Sequence, residues 1–281
     1  EHPHEVPAAT GGIAMKQLKR LVLGSTLCLV MIWSCQPTAS HELKVFASQM
    51  ILDRPGRTVA FLSWGHSLPT DELVAGETLA SYECVAPDGK RTALPVRELS
   101  FQEAEVTCEQ AGIYQIVAAR KPGVFTYVYD ASGRRVLRRG SKQEVTDGKI
   151  DYAMRSHQFA KAVLIVGQTS QSLPPCGHTL EIVPLDPPAQ WKAGQPLRVQ
   201  VLLQGKPLIG EILTATFVGY RPQGAWCFAK ETDRDGVVSI PVNQPGTWVV
   251  RVRHRRPAPE AERASVDYET FTATLTLEVR P

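Results

Sequence analysis

Residues 271–280 read Phe271-Thr272-Ala273-Thr274-Leu275-Thr276-Leu277-Glu278-Val279-Arg280, and the alternation is unbroken over ten positions. Successive side chains of a β-strand point to opposite faces, so Phe271, Ala273, Leu275, Leu277 and Val279 share one face. The threonines, Glu278 and Arg280 take the other, which describes a sheet with one side on a core and one in water. Residues 197–204 repeat the pattern: Leu197, Val199, Val201 and Leu203 lie opposite Arg198, Gln200 and Gln204. Similar runs occur at 57–66, 113–120, 123–129, 162–166 and 246–254, and no long helical periodicity competes with them. Pro87-Asp88-Gly89, Lys121-Pro122-Gly123, Lys206-Pro207, Asp235-Gly236 and Pro245-Gly246 supply turns between the runs. Many short strands joined by such turns predict an all-β chain built from sandwiches.

Upstream of the strands the composition changes. Lys16, Lys19 and Arg20 precede an apolar run from Leu21 to Trp33, and Pro37-Thr38-Ala39-Ser40 supplies small residues for cleavage. This is the order of a secretory signal peptide over 15–40, whose apolar run is too short to span a bilayer comfortably. Residues 1–14 are an upstream extension outside the fold. A periplasmic or otherwise exported protein beginning at His41, with no stable transmembrane segment after processing, is the expectation. Lipid anchoring at Cys35 is the lesser alternative, because Trp33-Ser34 make a poor lipidation motif.

The 241 residues from His41 onward suit two domains of ordinary size. Gln168 to Gly177 is rich in Ser, Gln, Pro and Gly, which places a first β-sandwich at 41–168 and a second at 178–281. Within the first, 131–160 carries Arg134, Arg135, Arg138, Arg139 and Lys142 and reads as a basic insertion, a loop followed by a short helix or turn. Net charge is +3 over the whole chain, too little for a nucleic-acid footprint. Four cysteines remain after processing: Cys84, Cys108, Cys176 and Cys227. Export permits disulfides, and proximity in sequence favours Cys84 with Cys108 and Cys176 with Cys227, although four cysteines allow three pairings.

The chain has no Gly-x-Ser-x-Gly elbow, phosphate loop or dinucleotide fingerprint, which argues against an enzyme. Its histidines are more informative. A free amino-terminal His41 can close a chelate ring through its amine and Nδ1 on a transition metal. His66 continues the face of Leu62 and Trp64, with Gly65 beside it permitting an irregular backbone or a close approach. His254 likewise extends the face of Trp248, Val250 and Val252, opposite Arg251, Arg253 and Arg255. Both end an apolar face at a strand terminus, where the loops of a sandwich gather. Asp71 and Glu72 are available as oxygen ligands or as partners orienting them.

The segments His41-Glu42-Leu43-Lys44-Val45, Ser63-Trp64-Gly65-His66 followed by Asp71-Glu72-Leu73, Lys121-Pro122-Gly123-Val124-Phe125-Thr126 and Ala225-Trp226-Cys227 resemble, in order and spacing, the DUF4198-type periplasmic proteins. These are described as NikK-like accessory components of nickel or cobalt uptake. The resemblance spans nearly all of the mature chain. It implies two tandem Ig-like or prealbumin-like sandwiches that capture Ni(II) or Co(II) and pass it to a membrane transporter. It makes His41 and His66 the first ligands to test, and strand phase adds His254. The chain is also similar to CopC-like copper carriers, which expose an amino-terminal His on an Ig-like sandwich, so Cu(II) is the alternative metal. A structural or adhesive module binding protein or glycan is the alternative of a different class. Intact-mass measurement of the exported protein is expected to find His41 at the amino terminus; a form beginning with acylated Cys35 would remove the chelate.

Overall fold

The computed structural model describes residues 41–281, so the upstream extension, the signal segment and Cys35 lie outside the described residues. The chain begins with β1 (Glu42–Ala47), β2 (Ile51–Leu52), β3 (Gly56–Gly65), β4 (Val74–Ala75), β5 (Leu79–Val85), β6 (Arg91–Ala93) and β7 (Leu99–Ser100). It continues with β8 (Ala104–Cys108), β9 (Gly112–Arg120), β10 (Gly123–Tyr129), β11 (Arg135–Arg139), β12 (Lys149–Val166), β13 (Leu180–Pro184) and β14 (Pro196–Leu203). The last strands are β15 (Lys206–Pro207), β16 (Ile212–Phe217), β17 (Phe228–Glu231), β18 (Val237–Pro241), β19 (Gly246–Pro257) and β20 (Tyr268–Val279). Helical structure among the described residues amounts to three single 3-10 turns.

One eleven-stranded sheet organises the fold, in the order β17-β16-β19-β20-β12-β9-β5-β6, with β10 and β2 also pairing with β12 and β11 pairing with β10. Strand β12 is its axis. Residues 159–166 lack polar alternate positions except Lys161, the pattern of a strand buried on both faces. Ala160, Ala162, Leu164 and Val166 enter one core with Leu43, Val45 and Leu62, beneath the three-stranded sheet β1-β3-β8. Val163 and Ile165 enter a second core on the opposite face, with Leu180, Ile182, Leu197, Val199 and Val201 of the four-stranded sheet β13-β14-β15 and β18. The fold is therefore an all-β sandwich whose middle layer serves two outer ones. The linker expected at 168–177 falls between β12 and β13, but the segments on either side of it contribute to one continuous sheet.

Alternation is observed where it was read: Leu197, Val199, Val201 and the odd positions 271–279 are buried. Two segments differ from expectation. The threonine face of β20 is covered rather than wet, because β1 lies across it and Thr274 Oγ1 donates to Leu43 O at 2.7 Å. Residues 131–160 are no loop-and-helix insertion; β11 and the outer half of β12 pair with β10 as regular sheet. Of their basic residues, Arg135 stacks on Tyr127 with its guanidinium 4.1 Å from the ring centroid, while Arg138 pairs with Asp147 and Lys142 with Asp267.

Lys161 is the polar exception in the buried stretch. Its Nζ meets Glu181 Oε1 at 2.6 Å, both side chains 2% exposed. Glu181 also accepts from the Cys176 and Gly177 amides at 2.7 and 3.1 Å. Burial would raise this carboxyl, but the Lys161 ammonium and the Cys176 amide hold it below the usual value. Lys161→Met alone is expected to cost roughly 3–5 kcal/mol, since it leaves a buried carboxylate without its counter-ion. Lys161→Met with Glu181→Gln is expected to cost less, because the amide oxygen still accepts from Cys176. Urea denaturation of the two variants and the parent checks the order.

Candidate functional site

Strands β1 and β3 pair antiparallel with Glu42 opposite Gly65 and Leu43 opposite Trp64. The next rung beyond the ladder is His41 opposite His66, so the backbone register itself brings the two imidazoles together. Their ring centroids are 4.6 Å apart at 74°, and His41 also meets the Trp64 ring edge-on at 5.7 Å. Glu72 closes the side. Its backbone bridges Trp64, and its Oε1 lies 3.6 Å from His41 Nε2. The His41 side chain is 39% exposed, so the pair is open to solvent.

The loop after β3 is shaped by Asp71. Its Oδ2 accepts from the Ser67 amide at 2.8 Å and the His66 amide at 2.6 Å, and these bonds hold the carboxyl below its ordinary value against the effect of burial. Gly65 is required there for two reasons. Its φ is +125°, and a Cβ would collide with the Asp71 carboxylate. Burial, and after it the neighbouring charge of His41, pull the His66 pKa below the usual imidazole value, which favours the neutral ring that a metal requires.

Behind the pair lies a buried charge cluster that the sequence does not announce. Glu42 is 2% and Lys44 1% exposed. Lys44 Nζ donates to Gly65 O at 2.5 Å, while Glu42 accepts from Arg253 Nη2 at 2.5 Å and from Arg251. Burial lowers the Lys44 pKa, offset in part by Glu42 and Asp71. Trp226 covers the cluster, its ring centroid 4.1 Å from the Arg251 guanidinium carbon.

His254 is not part of this arrangement. Arg251 and Arg253 face Glu42, so by alternation His254 points with Val250 and Val252 to the other side of the sheet. There its Nδ1 meets Glu211 Oε1 at 2.6 Å. Cys84, Cys108, Cys176 and Cys227 are free thiols, contrary to the expected pairings. The Cys176 amide is committed to Glu181 in the loop before β13, whereas the Cys227 thiol is directed to Ala215 O at 3.4 Å. Cys84 and Cys108 do share a core, where burial pushes their thiols up to about 12 and about 11. Among the described residues no group of three or more His, Cys, Asp and Glu side chains is placed to hold a metal ion. His41 and His66, with Glu72 alongside, offer two nitrogen donors and a neighbouring carboxylate. Gly65→Ala is expected to lower stability by about 1–3 kcal/mol and to free Asp71 from the two amides. Gly133→Ala, where an added Cβ meets nothing, is expected to cost less, and thermal unfolding compares the two.

Comparison with curated proteins finds no match. Among solved structures, the three N-terminal domains of the bacteriophage RB49 Highly Immunogenic Outer Capsid protein (Hoc) are 9% identical at a TM-score of 0.19, over 85% of this chain and 59% of that one. The chain thus spans about three-fifths of the phage chain it matches. Murine CEACAM1b is 9% identical at a TM-score of 0.18, over 86% of this chain and 98% of that one. Neither likeness bears on function. The family model described as a domain of unknown function, DUF4198, matches residues 38–256, and the chain belongs to that family.

Proposed function

We propose that this protein is an exported, non-enzymatic metal-binding accessory protein that captures a divalent transition metal at His41 and His66 and releases it to a membrane transporter. The observation that carries the reading is the shared rung: two imidazoles 4.6 Å apart on a backbone register that holds them there. If processing frees the His41 amine, the site gains a third nitrogen without any further side chain. Glu72 then stands beside the His41 ring as an orienting carboxylate or an additional ligand. Nitrogen donors of this kind suit Ni(II) and Co(II), and Cu(II) binds them more tightly still, so supply decides among the metals. An open donor set fits transfer better than permanent storage. The alternative of an adhesive module binding protein or glycan draws support from the ladder in which Arg135 and Arg255 lie over Tyr127 and Tyr268.

Isothermal titration with Ni(II), Co(II) and Cu(II) tests the proposal on protein beginning at His41. Saturable binding is expected, weakened by about tenfold or more when one residue is added ahead of His41 or when His66 is replaced by Ala. His254→Ala is expected to leave the affinity unchanged. Equal affinity in all four proteins, or binding no better than that of a single exposed histidine, would overturn the metal reading.

A further inference from the structure

Beside His66 the surface opens into a cavity of about 190 Å³ that the metal reading does not use. Its charged lining is of one sign. Lys44 and Arg221 border it, and no Asp or Glu does. Lys44 is all but wholly buried, and Gly65 O takes only one of the three protons of its ammonium. A buried ammonium with spare donors is costly unless something accepts from them. Thr216, also on the wall, is 4% exposed, and its Oγ1 makes no hydrogen bond to oxygen or nitrogen, having the Cys227 thiol for company.

Leu68 and Trp226 give the rest of the lining an apolar and aromatic part, with Tyr220 and Gln223 beside them, whereas the Phe217 ring packs on Trp248 in the second core. The Trp226 ring stacks with the Arg251 guanidinium, which braces it. A cavity with a cation at its base, a second at its rim, a hydroxyl whose one neighbouring polar group is a thiol, and an apolar side matches a molecule with an anionic end and an apolar body. An inorganic anion would satisfy the cations and leave the apolar side unused. The volume is below the range of roughly 300–1,000 Å³ usual for drug-sized ligands, which restricts the guest to a small one.

We propose that this cavity binds a small organic carboxylate, its carboxylate taken by Lys44 and Thr216 with Arg221 at the mouth, and its apolar part against Leu68 and Trp226. The site is separate from metal capture and does not require it, although His66 touches both.

Titration of metal-free protein beginning at His41 with phenylacetate, phenylacetamide and inorganic phosphate tests this. Saturable binding of phenylacetate is expected, with the neutral amide and phosphate each at least about tenfold weaker. Lys44→Met is expected to weaken phenylacetate by a similar factor. Because Lys44 is buried and its replacement can disturb folding, Arg221→Gln at the exposed rim is the second variant, expected to weaken binding severalfold with the circular dichroism spectrum unchanged. Phosphate binding as tightly as phenylacetate would overturn the organic assignment. No saturable binding of phenylacetate, or an unchanged affinity in folded Lys44→Met or Arg221→Gln, would overturn the site itself. Since no metal is present, these outcomes are independent of those of the metal titrations.

Discussion

The parallel pairing of β12 with β20 is the contact on which both cores depend. Met154 lies opposite Tyr268 and Ala162 opposite Thr276, so the first half of the described chain is locked to its last strand over nine residue pairs. Each face of β12 then supplies a different core. A slip of one residue would exchange those faces and carry Lys161 away from Glu181 into the apolar core of Leu43, Leu62 and Ile116. The buried ion pair therefore opposes the wrong register more than it favours the right one, a use of buried charge that tolerates its desolvation cost.

Much of this architecture is legible in the residues, and the misreadings are instructive. Period-two phase identified the core faces of β14, β19 and β20 because apolar side chains alternate there without interruption. The same phase does not say whether the opposite face is wet. In β20 that face carries threonines, whose hydroxyls can bond to backbone and so accept burial under β1. The outer half of β12 shows no clean alternation because Lys149, Ile150 and Asp151 are all exposed and Tyr152, Met154, Arg155, Ser156 and His157 are all half-buried, so no apolar face repeats there. His66 is legible as a strand-end residue and His41 as the residue after the cleavage motif, but their meeting depends on the register of β1 on β3, which neither strand encodes alone. His254 shows the converse. Its phase was read correctly, and that phase is what separates it from His66 once Arg251 and Arg253 are seen to face Glu42.

The charge cluster behind the histidines joins distant parts of the chain. Glu42 sits one residue from His41 and is gripped by two arginines of β19, more than 200 positions later in sequence. A strand at the edge of a fold is ordinarily free to fray. Here the first residues of β1 are anchored from below by Arg251 and Arg253 and from the side by Gln158, whose Oε1 accepts from the Leu43 amide and whose Nε2 donates to His41 O. The backbone that carries the His41 ring is thus held by the sheet and not by a loose terminus, which preorganises the pair of imidazoles.

Cys84 and Cys108 carry a consequence for how the folded chain meets an oxidant. Thiol exchange proceeds through the thiolate and requires access to it. Burial pushes the Cys84 thiol up to about 12, which disfavours the thiolate, and both side chains are buried in the core between β5 and β8. These two thiols are therefore shielded until the core opens, and the thiol that the folded chain presents to solvent is that of Cys227, just before β17.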